Sequence, residues 1–490
     1  MILTAQTHLL IVFLLPFIGA LLIYLFGKTE SIRNLIVITS AALLPVFMLS
    51  LAYRFLEGEI LGLVLLPFLE NTNIGFNIEP IGLLFACIVS VLWPFTALYS
   101  SQYMQENGYE NLVRFFSWFS ISIGCALGVA FSNNLITLFI FYELLSLCTY
   151  PLVAHKQDSQ SKAKARIYLA ILLGTSLALF LPAIIWTWTA TGTLEFTPGG
   201  ILAGKVSETN CIILLLLFLL GVSKVAMMPV HKWLPSAMVA PTPISALLHA
   251  VAVVKAGAFT IIKITTYIFG FNLLASMQTE WLIYLTCITL VLASYIALLQ
   301  DNLKLRLAYS TISQLSYITL GALLAHPLAL AGAIFHLVAH AFGKIILFFA
   351  AGAISTKTSI KRVSQMDGIG KIMPWTMGCF AIGAVSMIGI PPFSGFISKW
   401  YLLQGAISST QYVAVIALVI GTLLNTAYFV PVLYSAFFKE LKEDLPIAED
   451  KNKAPGMIIA IVFAAAVTIL LFFFPNIIID NINALTSMLT

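Results

Sequence analysis

Eight ionisable residues stand inside long apolar runs of a chain that carries almost no others away from its loops: Glu143, Lys224, His249, Lys255, His336, His340, Lys344 and Lys399. A Lys, Arg or Asp at the centre of a bilayer helix costs roughly 2.5–3.5 kcal/mol even on a lenient insertion scale. With Glu143 treated like Asp, its carboxylate and the four lysines together cost on the order of 15 kcal/mol, comparable with the whole stability of an ordinary domain. Groups kept against such a penalty carry protons or ions. The first expectation is therefore a proton pathway through a membrane protein.

His336, His340 and Lys344 are spaced i, i+4, i+8 and drift only ~40° per step on a helix of 3.6 residues per turn, which draws one polar stripe down one face. A stripe of that length suits proton hopping; a structural polar stripe is the alternative. Two histidines at i, i+4 also fit a metal, but no carboxylate or cysteine accompanies them and lysine is a poor ligand. His249 and Lys255 are six apart and face different directions on a regular helix, so water would bridge them. Glu143 is the one acidic residue in the middle of an apolar run, and a persistent charge there requires a cationic partner. Lys224 is the candidate, against a neutral carboxylic acid bonded to a backbone carbonyl. Lysine suits proton exchange: its reference value of ~10.4 lies about 3 above neutrality, roughly 4 kcal/mol, a gap that desolvation can close, whereas arginine stays charged. All four buried basic positions outside the histidines are Lys.

The elements that position these groups follow from composition. Of 490 residues, 60% are hydrophobic and 9% charged, with a mean hydropathy of +1.00, which excludes a soluble domain with its roughly 25% of charged residues. The apolar runs are continuous and lack the alternation of barrel strands, so the class expected is an all-α polytopic membrane protein. Spans of about 20 residues cross a ~30 Å core, and fourteen are read near 8–26, 34–53, 78–100, 112–131, 134–153, 165–190, 210–230, 243–269, 281–299, 305–325, 328–354, 374–404, 411–437 and 455–474. No Lys or Arg precedes the first run and no small-residue cleavage site follows it, so it reads as a span and not a signal peptide.

Charge placement tests the count. Loops after odd-numbered spans hold Lys28, Arg33, Arg114, Lys156, Lys162, Lys164, Arg166, Lys232, Lys304, Arg306, Lys357, Lys361, Arg362, Lys371, Lys439, Lys442, Lys451 and Lys453. The other side holds Arg54 and Lys205, with Lys263 near the end of the eighth span. Both termini are thus expected outside the cytoplasm. The net charge of +5 is this topology and not a nucleic-acid patch. The six cysteines, Cys87, Cys125, Cys148, Cys211, Cys287 and Cys379, are scattered singly, offer no ligand set for an iron–sulfur cluster or zinc, and read as buried hydrophobes; no cofactor is expected.

Two spans look interrupted. Pro229 follows Lys224 by five residues, and Gly389-Ile390-Pro391-Pro392 precedes Lys399-Trp400. A proline inside a span kinks or breaks it, and broken helices at membrane depth line hydrated cavities. Paired breaks point to inverted repeats, here spans 4–8 and 9–13. The expected division is residues 1–111 for spans 1–3, 112–269 and 270–438 for the two repeats, and 439–490 for span 14 and the tail.

Phe141-Tyr142-Glu143-Leu144-Leu145, the segment from Gly221-Val222-Ser223-Lys224 to His231-Lys232-Trp233-Leu234-Pro235, the run from Ala240-Pro241-Thr242-Pro243 to Leu248-His249-Ala250, and Gly389-Ile390-Pro391-Pro392-Phe393-Ser394-Gly395-Phe396 resemble the antiporter-like subunits of respiratory complex I and of Mrp-type cation/proton antiporters. Within that superfamily Val251 to Gly257, together with Lys399, are most similar to the D-type component of the Mrp complex. The resemblance implies a prokaryotic cell membrane, partner subunits, and protons exchanged against a cation such as Na⁺. It also implies that Glu143 pairs with Lys224, that His249 and Lys255 link it to a central axis at His336, His340 and Lys344, and that Lys399 stands near the outer exit. The same resemblance allows a pumping subunit of NADH dehydrogenase or membrane-bound hydrogenase; a self-sufficient carrier or channel is a third possibility. A single carboxylate is a thin site for Na⁺, so the cation path is expected to lie partly in another subunit.

Overall fold

In a bilayer every backbone polar group must be satisfied within the segment, so long apolar runs become helices. The computed structural model describes residues 4–69, 72–441 and 455–489; Lys442, Lys451 and Lys453 lie outside the described residues. Eleven helices are long and apolar enough to cross a membrane, among them Pro80–Glu106, Leu135–Val153, Ser159–Thr191, Thr242–Phe269, Pro327–Thr358 and Tyr412–Phe438. The remaining three expected spans are also helical. Leu303–Leu323 is an unbroken helix whose buried residues include Arg306, Ser310, Thr311 and Gln314, too polar for a lipid-facing span but suited to an enclosed one. Glu208–Gly221 and the pair Pro374–Ile388 and Ser394–Ser408 are the two interrupted spans.

The arrangement is concentric. Outer helices turn apolar side chains such as Leu21, Leu49, Ile288, Leu423 and Leu470 outward. Thr242–Phe269 and Pro327–Thr358, which carry His249, Lys255, His336, His340 and Lys344, are buried throughout their apolar windows. Pro327–Thr358 is the hub and packs on Pro80–Glu106, Thr242–Ala246, Leu303–Leu323, Pro374–Ile388, Ser394–Ser408 and Pro455–Phe473.

Four features depart from the sequence reading. A short antiparallel hairpin, Gly62–Leu69 with Thr72–Asn77, interrupts the all-α pattern; its apolar run is too short to span, and Asn134 Nδ2 fastens it by donating to the Asn73 carbonyl at 2.6 Å. A further helix, Asn476–Leu489, follows the last span and packs on Pro80–Glu106 and Pro327–Thr358. The first break starts before its proline: the helix ends at Gly221, Ser223–Val225 forms a 3-10 turn, and Ala226 is left-handed at φ 57°, so Lys224 and Pro229 both lie inside the break, which lasts until a helix resumes at Trp233. Pro391 and Pro392 do lie between the two halves of the second broken span. Lastly, Thr242–Phe269 is not regular; π-turns at Leu247–Val251 and Ile264–Phe269 re-aim its side chains, and His249 sits in the first of them.

Candidate functional site

The first break frees Lys224 from a regular helix and lays it against Leu135–Val153. Its Nζ donates to the Tyr142 carbonyl at 2.7 Å and to Ser146 Oγ at 2.6 Å, and lies 3.1 Å from the centroid of the Tyr142 ring. Gly257 makes the fit possible, because a Cβ there would stand 2.6 Å from the Lys224 carbonyl carbon. Glu143 is close enough to Lys224 for a charge interaction, yet the two form no ion pair: both carboxylate oxygens are buried without a hydrogen-bond partner. The expected pair is therefore open in this structure, with Lys224 turned to neutral oxygens one helical turn apart.

Lys255 and His340 are joined. Lys255 Nζ lies 2.6 Å from His340 Nδ1, linking the enclosed helix of the first half to the hub helix. An N···N contact of that length needs one donor and one acceptor, so a single proton serves both atoms. His249 touches neither; its ring rests on Phe348 with centroids 4.7 Å apart, and neither ring nitrogen has a partner. His336 takes a different direction from His340. Its Nδ1 lies 2.8 Å from Ser398 Oγ, whose own proton goes to the Gly395 carbonyl at 2.8 Å. The two histidines thus share a stripe but not a ligand.

Lys344 Nζ donates to Ser310 Oγ at 2.6 Å and to the Leu307 carbonyl at 3.3 Å. The Ser310 oxygen also meets the Tyr428 hydroxyl at 2.8 Å. With its amide assigned so that the oxygen faces the surrounding donors, Asn425 joins Tyr428 to Lys399: the amide nitrogen donates to the Tyr428 oxygen at 2.5 Å, and the oxygen accepts from Lys399 Nζ at 3.1 Å and Gln314 Nε2 at 2.8 Å. Lys399 further donates to the Ile388 carbonyl at 2.9 Å and Thr422 Oγ1 at 3.2 Å, and its Nζ is 4.8 Å from the Tyr317 ring centroid. Gly389, at φ 90°, makes room for this lysine, since a Cβ would meet Lys399 Cδ at 2.7 Å.

Of two cavities in the two halves, one reaches the row at Lys399 and the other has none of the row's residues in its lining. One of about 610 Å³ opens among Tyr103, Lys156, Thr242, Lys304 and Lys361, at the loop-side end of Thr242–Phe269. The other, about 230 Å³, reaches Lys399 between Tyr317, Phe396, Trp400 and Thr422.

The sequence reading missed Tyr142, Ser146, Ser310, Gln314, Ser398, Asn425 and Tyr428, whose polar atoms look like ordinary helix composition until the partner helix is known. It also left Lys263, placed near the end of the eighth span, out of the buried set; this lysine is fully buried, forms an ion pair with Glu79 and lies 3.8 Å from the Phe196 ring centroid. The signal was available, because Lys255 and Lys263 repeat the i, i+8 spacing of His336 and Lys344.

Comparison with known proteins agrees with this architecture. The family described as NADH:quinone oxidoreductase/Mrp antiporter, TM matches residues 132–425, which contain all eight singled-out residues. NADH-quinone oxidoreductase subunit N of Desulforudis audaxviator is 31% identical over 416 residues, 84% of this chain and 82% of that protein. The A/B component of a probable K⁺/H⁺ antiporter of Rhizobium meliloti is 33% identical over 76% of this chain, and the A component of the Na⁺/H⁺ antiporter of Alkalihalophilus pseudofirmus 32% over 84%; the chain spans only 38% and 54% of their lengths. The fold matches a chain of the Mrp complex from Dietzia, with a TM-score of 0.86 at 19% identity over 99% of this chain and 98% of that one. It also matches a chain of an archaeal membrane-bound sulfane sulfur reductase, at 0.83 and 22% over 98% and 97%. With the matched family covering well over half its length and the hydrogen-bonded row of lysines and histidines lying inside that match, the chain belongs to the NADH:quinone oxidoreductase/Mrp antiporter family and is an antiporter-type, multi-pass membrane subunit.

Proposed function

We propose that the chain is the proton-translocating subunit of a multisubunit Na⁺/H⁺ antiporter in a prokaryotic cell membrane, a secondary transporter and not itself an enzyme. The observation that carries the reading is the 2.6 Å contact between Lys255 and His340. It joins groups on two separately packed helices, so that titratable side chains follow one another from Glu143 and Lys224 to Lys399. The unpartnered nitrogens of His249, His336 and His340 call for water in a fully enclosed interior, and water completes a path between side chains that do not touch. Protons enter by the Lys304 cavity, pass Lys255 and His340 to Lys344, and leave by the Lys399 cavity. Closing and opening of the Glu143–Lys224 pair gates the row, and the open geometry is one of its two states. Each broken helix is the fourth span of its repeat, residues 112–269 and 270–438, with other subunits of the complex supplying part of the cation path.

The second reading, a pumping subunit of an NADH dehydrogenase or hydrogenase, is favoured by the match along 82% of the length of an NADH-quinone oxidoreductase subunit N. The intact complex in liposomes separates them. The first reading expects a pH change on adding Na⁺, without any electron donor, that an uncoupler collapses. Proton movement that appears only with a reductant and quinone overturns it.

A further inference from the structure

A second basic constellation lies outside the row and outside the proton path. Between helices Ala5–Phe26, Glu30–Leu56 and Leu112–Phe131 opens a cavity of about 820 Å³. Phe17, Leu21, Tyr24 and Trp118 form its apolar wall, and Lys28, Arg33 and Arg114 its charged end. Arg33 is 8% exposed, and among the described residues its side chain makes neither a hydrogen bond nor an ion pair. Glu30, one turn earlier, acts on it through charge but forms no ion pair with it. Arg114 donates from Nη2 to the His155 carbonyl at 3.0 Å and keeps a buried Nε without a partner.

A buried guanidinium without an acceptor is costly, and the half-buried Arg114 adds a second positive charge to the lining of the same cavity. Their planar donor forks fit the oxygens of a phosphodiester. The wall beneath them is too apolar for a free anion but suits acyl chains, with Tyr24 and Trp118 at the level where aromatic rings meet headgroups. A protein helix would have to bring an acidic residue to the rim of a lipid-facing groove. An anionic lipid brings its charge and its chains together.

We propose that this groove is a binding site for an anionic phospholipid, whose phosphate accepts from Arg33 and Arg114 with Lys28 nearby and whose chains lie along Phe17, Leu21 and Trp118. The lipid then ties the first two helices to Leu112–Phe131 and neutralises the buried Arg33 charge that the chain leaves without an acceptor. The site does not depend on the transport reading.

The test is native mass spectrometry of the full chain, exchanged from detergent into micelles doped with phosphatidylglycerol or phosphatidylcholine. Phosphatidylglycerol should be retained preferentially, and Arg33→Gln with Arg114→Gln should lower its retention roughly tenfold or more. Should the double variant fail to fold, a photoreactive phosphatidylglycerol on the unaltered protein should label the segments around Tyr24 and Trp118. Equal retention of the two lipids, undiminished retention by the double variant, or labelling elsewhere overturns the proposal. So does protection by inorganic phosphate alone, or a cross-link from Leu21→Cys to another protein of the intact complex.

Discussion

Replacing His340 by glutamine removes one property of the side chain and keeps another. The amide oxygen can still accept from Lys255 Nζ, which sits 2.6 Å from His340 Nδ1, so the packing and the hydrogen bond survive. Glutamine cannot take up a proton near neutral pH. A proton leaving Lys255 must then cross to Lys344 without a side chain to rest on, in an interior where both helices are fully buried. The effective penalty for leaving an ion unpaired there is several kcal/mol, and about 3 kcal/mol is already a hundredfold in rate. Cation/proton exchange per assembled complex, followed in liposomes with an internal pH dye, should fall at least that far. His336→Gln makes the comparison informative. His336 ends at Ser398, whose proton is held by the Gly395 carbonyl, so this branch leads to an acceptor that cannot pass a proton onward, and its loss should leave the rate within about threefold. His340→Ala should behave differently again: it orphans the Lys255 amine and should lower the yield of folded complex, by about 1–3 kcal/mol of stability. A glutamine variant at position 340 that exchanges at more than a third of the parent rate would remove His340 from the path, and a position 336 variant that loses as much would refute the dead end at Ser398.

Lys399→Arg keeps the charge but cannot release a proton, so it should be as inactive as Lys399→Ala; near-normal exchange by the arginine variant would reduce Lys399 to a structural cation. Lys263→Arg should be tolerated, because its ion pair with Glu79 asks only for a fixed charge, and activity loss on the scale of His340→Gln would bring Lys263 into the path. A tag after Thr490 should be accessible from outside the cytoplasm and one between Glu443 and Lys451, outside the described residues, from within; both on one side would refute fourteen crossings. His155, in the loop after Leu135–Val153, is held well below the usual histidine range, at about 4, by burial and then by Arg114. The unfolded chain takes up that proton below about 6.5 and the folded one does not, so stability should fall by roughly 3 kcal/mol between pH 6.5 and 4 and level off below. Thermal unfolding of the detergent-solubilised protein should lose this slope in His155→Gln.

Eleven spans were legible because a bilayer leaves a helix no alternative, and length with apolarity is all the signal they need; the polar, enclosed Leu303–Leu323 and the two interrupted spans needed charge placement and turn residues as well. The two breaks were legible as regions but not as positions. Proline marked the first too late, since Gly221, a 3-10 turn and the left-handed Ala226 had already ended the helix. The hairpin at Gly62–Leu69 escaped because no fourteen-helix reading requires it. Among site residues, the stripe of His336, His340 and Lys344 followed from spacing alone, whereas the contact of Lys255 with His340 spans 85 residues of sequence, and no local pattern reports it. Nor does the chain from Ser310 through Tyr428 and Asn425 to Lys399, which depends on how Leu303–Leu323 and Tyr412–Phe438 face each other.

The partners of the buried lysines sort them into two kinds. Lys263 has a carboxylate in contact and three aromatic rings around it, a closed arrangement in which the charge has no reason to move. Lys224, Lys344 and Lys399 donate to carbonyls, hydroxyls and an amide, and Lys255 donates to a base. Four lysines and three histidines in a row share one carboxylate, which none of them touches. Two unit charges 6 Å apart at an effective dielectric of 20 repel by about 3 kcal/mol, so neighbouring positions cannot all be occupied by protons at once. On the proposed reading, a proton gained at one position would weaken the hold on the next, and Glu143, by approaching or leaving Lys224, would set how many the row contains. Neutral hydrogen-bond partners suit this role, because they hold each amine in place whether or not it is charged.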